Sequence, residues 1–238
     1  MIKTITSKDN ARIKFASSLK ENKYRKMHKM FLAETYKSLE MALKHHQVVE
    51  IFATEWIDVP EDVTLNIVSE DILKKLSSNV NPEGVVFIAK MREYDDKKYN
   101  KILYLDKVSD PGNVGTLIRT ALAFNYDAVF VSEDSCSIYN EKVINSSKGA
   151  IFAIPAFERD ISKIIDGHEV IVSTLDKDSV DLENLDVPNK FILVMGNESH
   201  GVRKEVAELA TKKVKIRIQN IDSLNVAIAG GILMNKIR

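Results

Sequence analysis

Short apolar runs alternating with amphipathic helical patterns predict an α/β protein: a small N-terminal α/β domain, then a larger α/β domain on a mostly parallel sheet. Two further observations set the division. The chain of 238 residues exceeds the usual size of one compact core. The stretch REYDDKKYNK, Arg92 to Lys101, is polar or aromatic-polar throughout and carries no periodic apolar pattern, which puts the boundary between domains of residues 1–95 and 101–238.

Composition fits a soluble globular protein, with 45% hydrophobic and 29% charged residues and no apolar run long enough to span a bilayer. The N-terminus, MIKTITSKDNARIKF, lacks the apolar core and cleavage site of a secretion signal, and the single cysteine, Cys136, cannot form an internal disulfide. Both point to a reducing cytoplasm. Formal net charge is zero, yet residues 1–30 carry nine Lys and Arg against Asp9 and Glu21, a local excess of seven positive charges. Such an excess suits either a solvated helix face or a phosphate-binding surface.

In the first half, Ser7 can cap a helix over about 8–21, and Lys23 to Lys29 read as an exposed basic turn. Strands at Phe31–Ala33, Val48–Ala53, Leu65–Val68 and Val85–Met91 enclose helices over about 35–46 and 70–77. In the second half, strands are expected at Ile102–Leu105, Ala128–Val131, Ile151–Ile154, Val170–Ser173, Phe191–Met195 and Val214–Ile218. Helices are expected over about 114–124, 140–147, 159–165, 202–210 and 224–237. A parallel sheet covered on both faces binds ligands beyond the carboxyl ends of its strands.

Three loops after predicted strands are richer in Gly, Asn, Ser and acids than a simple connection needs. In DKVSDPGNVGTLIRT, Pro111 and Gly112 make a tight turn, Asn113 is a candidate N-cap, and Arg119 lies on the following helix, able to point back to its mouth. The segment has neither the Lys-Ser/Thr ending of a P-loop nor the G-x-G-x-x-G of a dinucleotide site. In MGNESHGV, Gly196 and Gly201 bracket Asn197, Glu198 and Ser199, which offer donors and acceptors to a ligand or simply start a helix. His200 reads as a loop residue and His45-His46 as an exposed helix end, because neither has a ligand set at metal spacing; no metal is expected. In IQNIDSLNVAIA, Ser223 can cap the last helix with Asn225 in its first turn.

In that order and spacing, DKVSDPGNVGTLIRTALAF, LVMGNESHG and SLNVAIA resemble the three motifs of the SpoU/TrmH family of RNA 2′-O-ribose methyltransferases in the SPOUT superfamily, over the chain from about Ile102 onward. The resemblance implies a SPOUT domain with a parallel sheet and a deep trefoil knot, a homodimer built partly on the C-terminal helix, and S-adenosylmethionine as cofactor. It implies cofactor contacts at Thr174, Leu175, Gly196, Ile218 and Leu224, and roles in catalysis and substrate placement for Asn113, Arg119, Glu198, Ser223 and Asn225. The chain departs from the family before the third motif, where Arg217 stands for a proline and a glycine is missing, and at Asn125, which replaces a helix-ending glycine. The N-terminal half is similar to the ribosomal-protein-like RNA-binding domain of ribosomal RNA ribose methyltransferases, which favours large-subunit ribosomal RNA over transfer RNA as substrate. A catalytically silent RNA-binding protein and a base-directed SPOUT enzyme are the alternatives.

Overall fold

A computed structural model describes residues 1–95 and 99–238. The described chain forms two compact units, one of Met1–Glu93 with Tyr139–Ala153, the other of Tyr94–Ile138 with Ile154–Arg238. The first unit therefore draws on a segment that follows the linker in sequence, and Asp96 to Lys98 of that linker lie outside the described residues.

The first unit is a five-stranded sheet in the order β1 (Ile2–Ile5), β4 (Thr64–Val68), β3 (Val48–Ala53), β5 (Val85–Lys90), β2 (Met30–Glu34), parallel except where β5 meets β3 and β2. Helices α1 (Ala11–Ser18) and α4 (Glu70–Leu76) bury Ile13, Ala16, Ile72, Leu73 and Leu76 against Phe52, Val86 and Ile88. On other residues of the sheet, Phe152 in α7 (Ala150–Ala153) brings its ring within 5.8 Å of those of both Phe31 and Phe87. Glu34, buried at the end of β2, has no basic partner among the described residues. Its carboxyl oxygens accept from the hydroxyls of Ser77 and Ser78 and from Asn145 Nδ2 at 3.2 Å, the latter on α6 (Glu141–Ser147), so the desolvated group is met by dipoles.

The second unit is a seven-stranded, fully parallel sheet in the order β10 (Val180–Asp181), β12 (Lys212–Lys215), β9 (Glu169–Ser173), β11 (Phe191–Met195), β6 (Lys101–Leu105), β7 (Ala128–Val131), β8 (Ala156–Glu158). Every residue of β7 and β11 is buried, as a sheet covered on both faces requires. From β6 the chain runs outward one way through β7 and β8, while β11 and β9 lie on its other side. Sites in open parallel sheets form where strand order reverses in this way. Helix α5 (Pro111–Ala123) follows β6, and α9 (Val226–Lys236) packs on it so closely that a Cβ on Gly230 would lie 2.3 Å from Leu117 Cδ2. Tyr126 Oη donates to Ile237 O at 2.7 Å, satisfying a carbonyl just past the end of α9.

Several expected elements moved. Asn10, not Ser7, caps α1, and Lys23 to Lys29 are not a turn but lie almost wholly in a second helix, α2 (Asn22–His28). Arg25 of α2 is buried and donates to Leu19 O and Lys20 O, so what reads as one more exposed cation ties α2 to the end of α1. Ile151 and Phe152, expected in a strand, lie in α7, since a short apolar run is the same signal for a buried helix turn. The expected helix over 159–165 is one 3-10 turn at Ile161–Lys163, capped by Asp160. The helix expected over 202–210 contracts to α8 (Lys204–Ala207), and the strand expected to Ile218 stops at Lys215.

Thr35, joining β2 to α3 (Tyr36–Lys44), has φ 81° and ψ 141°, a conformation that a β-branched residue adopts only under strain. Its side chain accepts from Ser38 N in return. Because glycine gives up only a few tenths of a kcal/mol as an N-cap, Thr35→Gly is expected to stabilise the protein by about 1 kcal/mol in thermal unfolding. Tyr104 Oη is buried, and burial, with Asp106 and Asp160 nearby, pushes its pKa up to about 12. A raised folded-state pKa means that the contribution to stability is complete below the ordinary value near 10 and is lost as pH rises towards 12. Tyr104→Phe should leave stability at neutral pH unchanged or higher and reduce the alkaline loss, as read from denaturant midpoints across that range.

Candidate functional site

The site begins at the carboxyl ends of the two central strands. Asp106, directly after β6, is wholly buried, and its oxygens accept from Arg203 N at 2.8 Å, from Arg203 Nε at 2.8 Å and from an Arg203 terminal nitrogen at 2.7 Å. The hydrogen bonds to Asp106 raise the already high pKa of Arg203, so the guanidinium keeps its charge at any physiological pH. Asp106 N also donates to Met195 O at 2.8 Å, joining the β6 and β11 exits.

Between them the loop after β11 turns back on itself. Asn197 and Gly201 exchange two backbone hydrogen bonds of 2.9 Å, and Asn197 Nδ2 donates to Lys107 O at 2.9 Å. The Asn197 carbonyl oxygen accepts from the backbone of Ser199 and His200, using the whole amide. This return passes so near Gly196 that a Cβ there would sit 2.3 Å from both Gly201 C and Val202 N. Only glycine fits.

A pocket of about 460 Å³ opens above the ends of β9, β11 and β12, within the size range of small-molecule sites. Thr174, Leu175, Gly196, Ile218 and Leu224 all line it, as do Glu198 and Ser223. Its charged lining is Asp176, Glu198 and Lys215, one more acid than base, with Lys213 ion-paired to Asp176 at 3.0 Å. Asn113, Arg119 and Asn225 are not among the lining residues. Two of these three reach the site through hydrogen bonds: Asn225 Nδ2 donates to Asn113 Oδ1 at 3.1 Å, and Asn113 Nδ2 donates to Glu198 Oε1 at 2.9 Å. Arg119 stands apart. It is exposed on α5, and its side chain holds no hydrogen bond or ion pair among the described residues.

Two capping assignments change. Asp110 rather than Asn113 caps α5, accepting from Asn113 N at 2.8 Å, with Pro111 at the first helical position. Asn225 rather than Ser223 caps α9, accepting from Ala227 N and Ile228 N. The amides of Asn113 and Asn225 are thereby free to pair with each other. Sequence reading missed Asp106 and Arg203 altogether. The available signal was an acid placed immediately after four apolar strand residues, where a charge sits at the edge of the core. His200 is an exposed residue of the loop, and among the described residues no group of three or more His, Cys, Asp or Glu is placed to hold a metal.

Residues 100–235 match the model of the SpoU rRNA methylase family. The chain belongs to that family. Residues 10–86 match a second model, that of an MRM3-like substrate binding domain. Among relatives, 23S rRNA (guanosine(2553)-2′-O)-methyltransferase RlmP of Bacillus subtilis is 29% identical with both chains covered in full. An uncharacterized tRNA/rRNA methyltransferase of Synechocystis is 28% identical over all of this chain and 94% of its own. A crystal structure of AdoMet-bound rRNA methyltransferase from Sinorhizobium meliloti superposes with TM-score 0.90 at 28% identity, covering 100% of this chain and 97% of the other. This SpoU-family protein is accordingly an S-adenosylmethionine-dependent RNA ribose methyltransferase.

Because the obstructing atoms at Gly196 are backbone, Gly196→Ala cannot be absorbed by a side-chain rotation. The substitution is expected to displace the 197–202 loop and to weaken S-adenosylmethionine binding at least tenfold in calorimetric titration, while far-ultraviolet circular dichroism stays that of the parent.

Proposed function

We propose that this SpoU-family protein methylates a ribose 2′-hydroxyl of large-subunit ribosomal RNA, in preference to transfer RNA, at the pocket above β9, β11 and β12. One observation carries the siting of the reaction. Residues 85 and 112 positions apart meet in the line Asn225–Asn113–Glu198 at the edge of a pocket of small-molecule size. S-adenosylmethionine supplies an electrophilic methyl group on a sulfonium. The pocket suits it: the lining has a net negative charge to match the cofactor's net positive one, Ile218 and Leu224 offer apolar surface, and the glycine at 196 lets backbone approach.

Thr174, Leu175, Gly196, Ile218 and Leu224 hold the cofactor, largely through backbone groups. Asn113 and Glu198 fix the cofactor loop, a role favoured by their direct hydrogen bond, and Ser223 and Asn225 shape the cofactor and ribose pocket. Arg119 binds the phosphate next to the target ribose and stabilises the charge developing on its oxygen. A guanidinium does not deprotonate in proteins, so the hydroxyl proton leaves by another route.

Support for the ribosomal substrate comes from the 23S rRNA-directed relative of equal extent, from the match to a substrate binding domain and from the basic N-terminal segment. The protein acts as a cytoplasmic homodimer with a trefoil-knotted C-terminal part. Ile228 and Ile232, one turn apart on α9 and 58% and 40% exposed, favour that helix as part of the interface.

Purified protein given methyl-labelled S-adenosylmethionine with ribosomal and transfer RNA from a strain lacking its gene is expected to label ribosomal RNA, and nucleoside mass analysis to place the methyl on ribose. A methyl on the base, or label in transfer RNA alone, would overturn the reaction or the substrate respectively. Arg119→Lys, lacking the planar fork, should lose about 100-fold in turnover with cofactor affinity unchanged; near-parental turnover would remove the role given to Arg119.

A further inference from the structure

The basic N-terminal segment carries a feature that charge alone does not explain. Along α1 and α2, the Phe15 and His28 rings meet edge to face at 5.0 Å between centroids, and the Tyr24 and His28 rings lie within 12° of parallel at 6.5 Å. A cation sits over the ring at each end: Arg12 Cζ is 5.0 Å from the Phe15 centroid and Lys23 Nζ is 4.6 Å from that of Tyr24. Arg12 is held in place by its ion pair with the buried carboxylate of Glu50, which Asn66 Nδ2 also contacts at 2.9 Å. His28 is exposed at the centre of the strip, while Phe15 and Tyr24 are half-buried and rest on the core below. Lys23 and Lys26 have no carboxylate partner among the described residues.

We infer that this strip, Arg12–Phe15–His28–Tyr24–Lys23, is a stacking platform for unpaired bases of the substrate RNA. The inference rests on the reading of the protein as an RNA methyltransferase and adds where, and through which RNA feature, the first unit engages its substrate. A surface meant only for duplex phosphates needs cations but not rings. Unpaired bases are held by aromatic and guanidinium faces, with neighbouring lysines taking the backbone phosphates. A protein partner is the weaker fit, because Lys23 and Lys26, exposed beside the rings and without a carboxylate partner among the described residues, complement a polyanion.

The test uses the full chain and an oligoriboadenylate of about 12 nucleotides carrying one internal 2-aminopurine, with a blunt RNA duplex of the same length as competitor. Expected are quenching of the 2-aminopurine on binding, weak competition by the duplex, and a loss of about tenfold in single-strand affinity for His28→Ala, restored by His28→Phe. Lys26→Gln should instead reduce the salt dependence of binding by roughly 0.7 in log–log slope. Thermal midpoints confirm that the His28 variants are folded. Equal affinity for duplex and single strand, or an unchanged affinity in His28→Ala, overturns the platform even where ribosomal RNA is still methylated. Base-selective binding by a protein that methylates no RNA would instead retain the platform and remove the proposed reaction.

Discussion

A single buried carboxylate organises the end of the large sheet. Asp106 has no exposed surface, and a charge taken out of water at that depth is tolerable only when hydrogen bonds replace its hydration. Arg203 supplies three of them, one through its backbone. To deliver them the chain must leave β11, reverse within a few residues and return across the exit of β6. That reversal forces Gly201 and Val202 against position 196, which excludes every side chain there. The pocket rim is thus a consequence of where Asp106 finds its partners.

The same economy governs the amides around it. Asn197 uses its NH2 on the β6 loop and its oxygen on its own turn, while Asn225 uses its oxygen to cap α9 and its NH2 to reach Asn113. Asn113 in turn joins Asn225 to Glu198. An aspartate at position 113 or 225 would put an acceptor against an acceptor, so the amide is required by geometry rather than by polarity alone. Helix capping and site assembly are in this way one network, which is why the capping residues differ by two or three positions from those that local preference selects.

Strands were the most legible elements. Val48–Ala53, Ala128–Val131 and Phe191–Met195 have the residue ranges that their apolar runs indicate, because β-branched and aromatic residues within them tip a signal that a buried helix turn shares towards strand. The first and the two-residue strands, Ile2–Ile5 and Val180–Asp181, escaped notice, being edge strands with exposed faces and too few residues to show a pattern. Helix ends were misplaced at Ser7, Asn113 and Ser223, since each has a second good cap nearby and backbone geometry alone chooses between them. Of the site, the residues in loops after strands were visible as departures from what a plain turn needs. Arg203 was not, because its partner lies 97 residues away.

Sequence by itself determined the α/β class, the parallel character of the second half and the three loops that carry polar groups, since periodicity, strand apolarity and turn chemistry are local properties. Tertiary structure alone decided that Tyr139–Ala153 joins the first unit, that Arg25 turns inward, and that Asn113, Glu198 and Asn225 form one hydrogen-bonded line while Arg119 stays exposed beyond it. Each of these outcomes depends on which distant group satisfies a buried donor, acceptor or apolar face, and that partner is fixed only once the sheet order has been set.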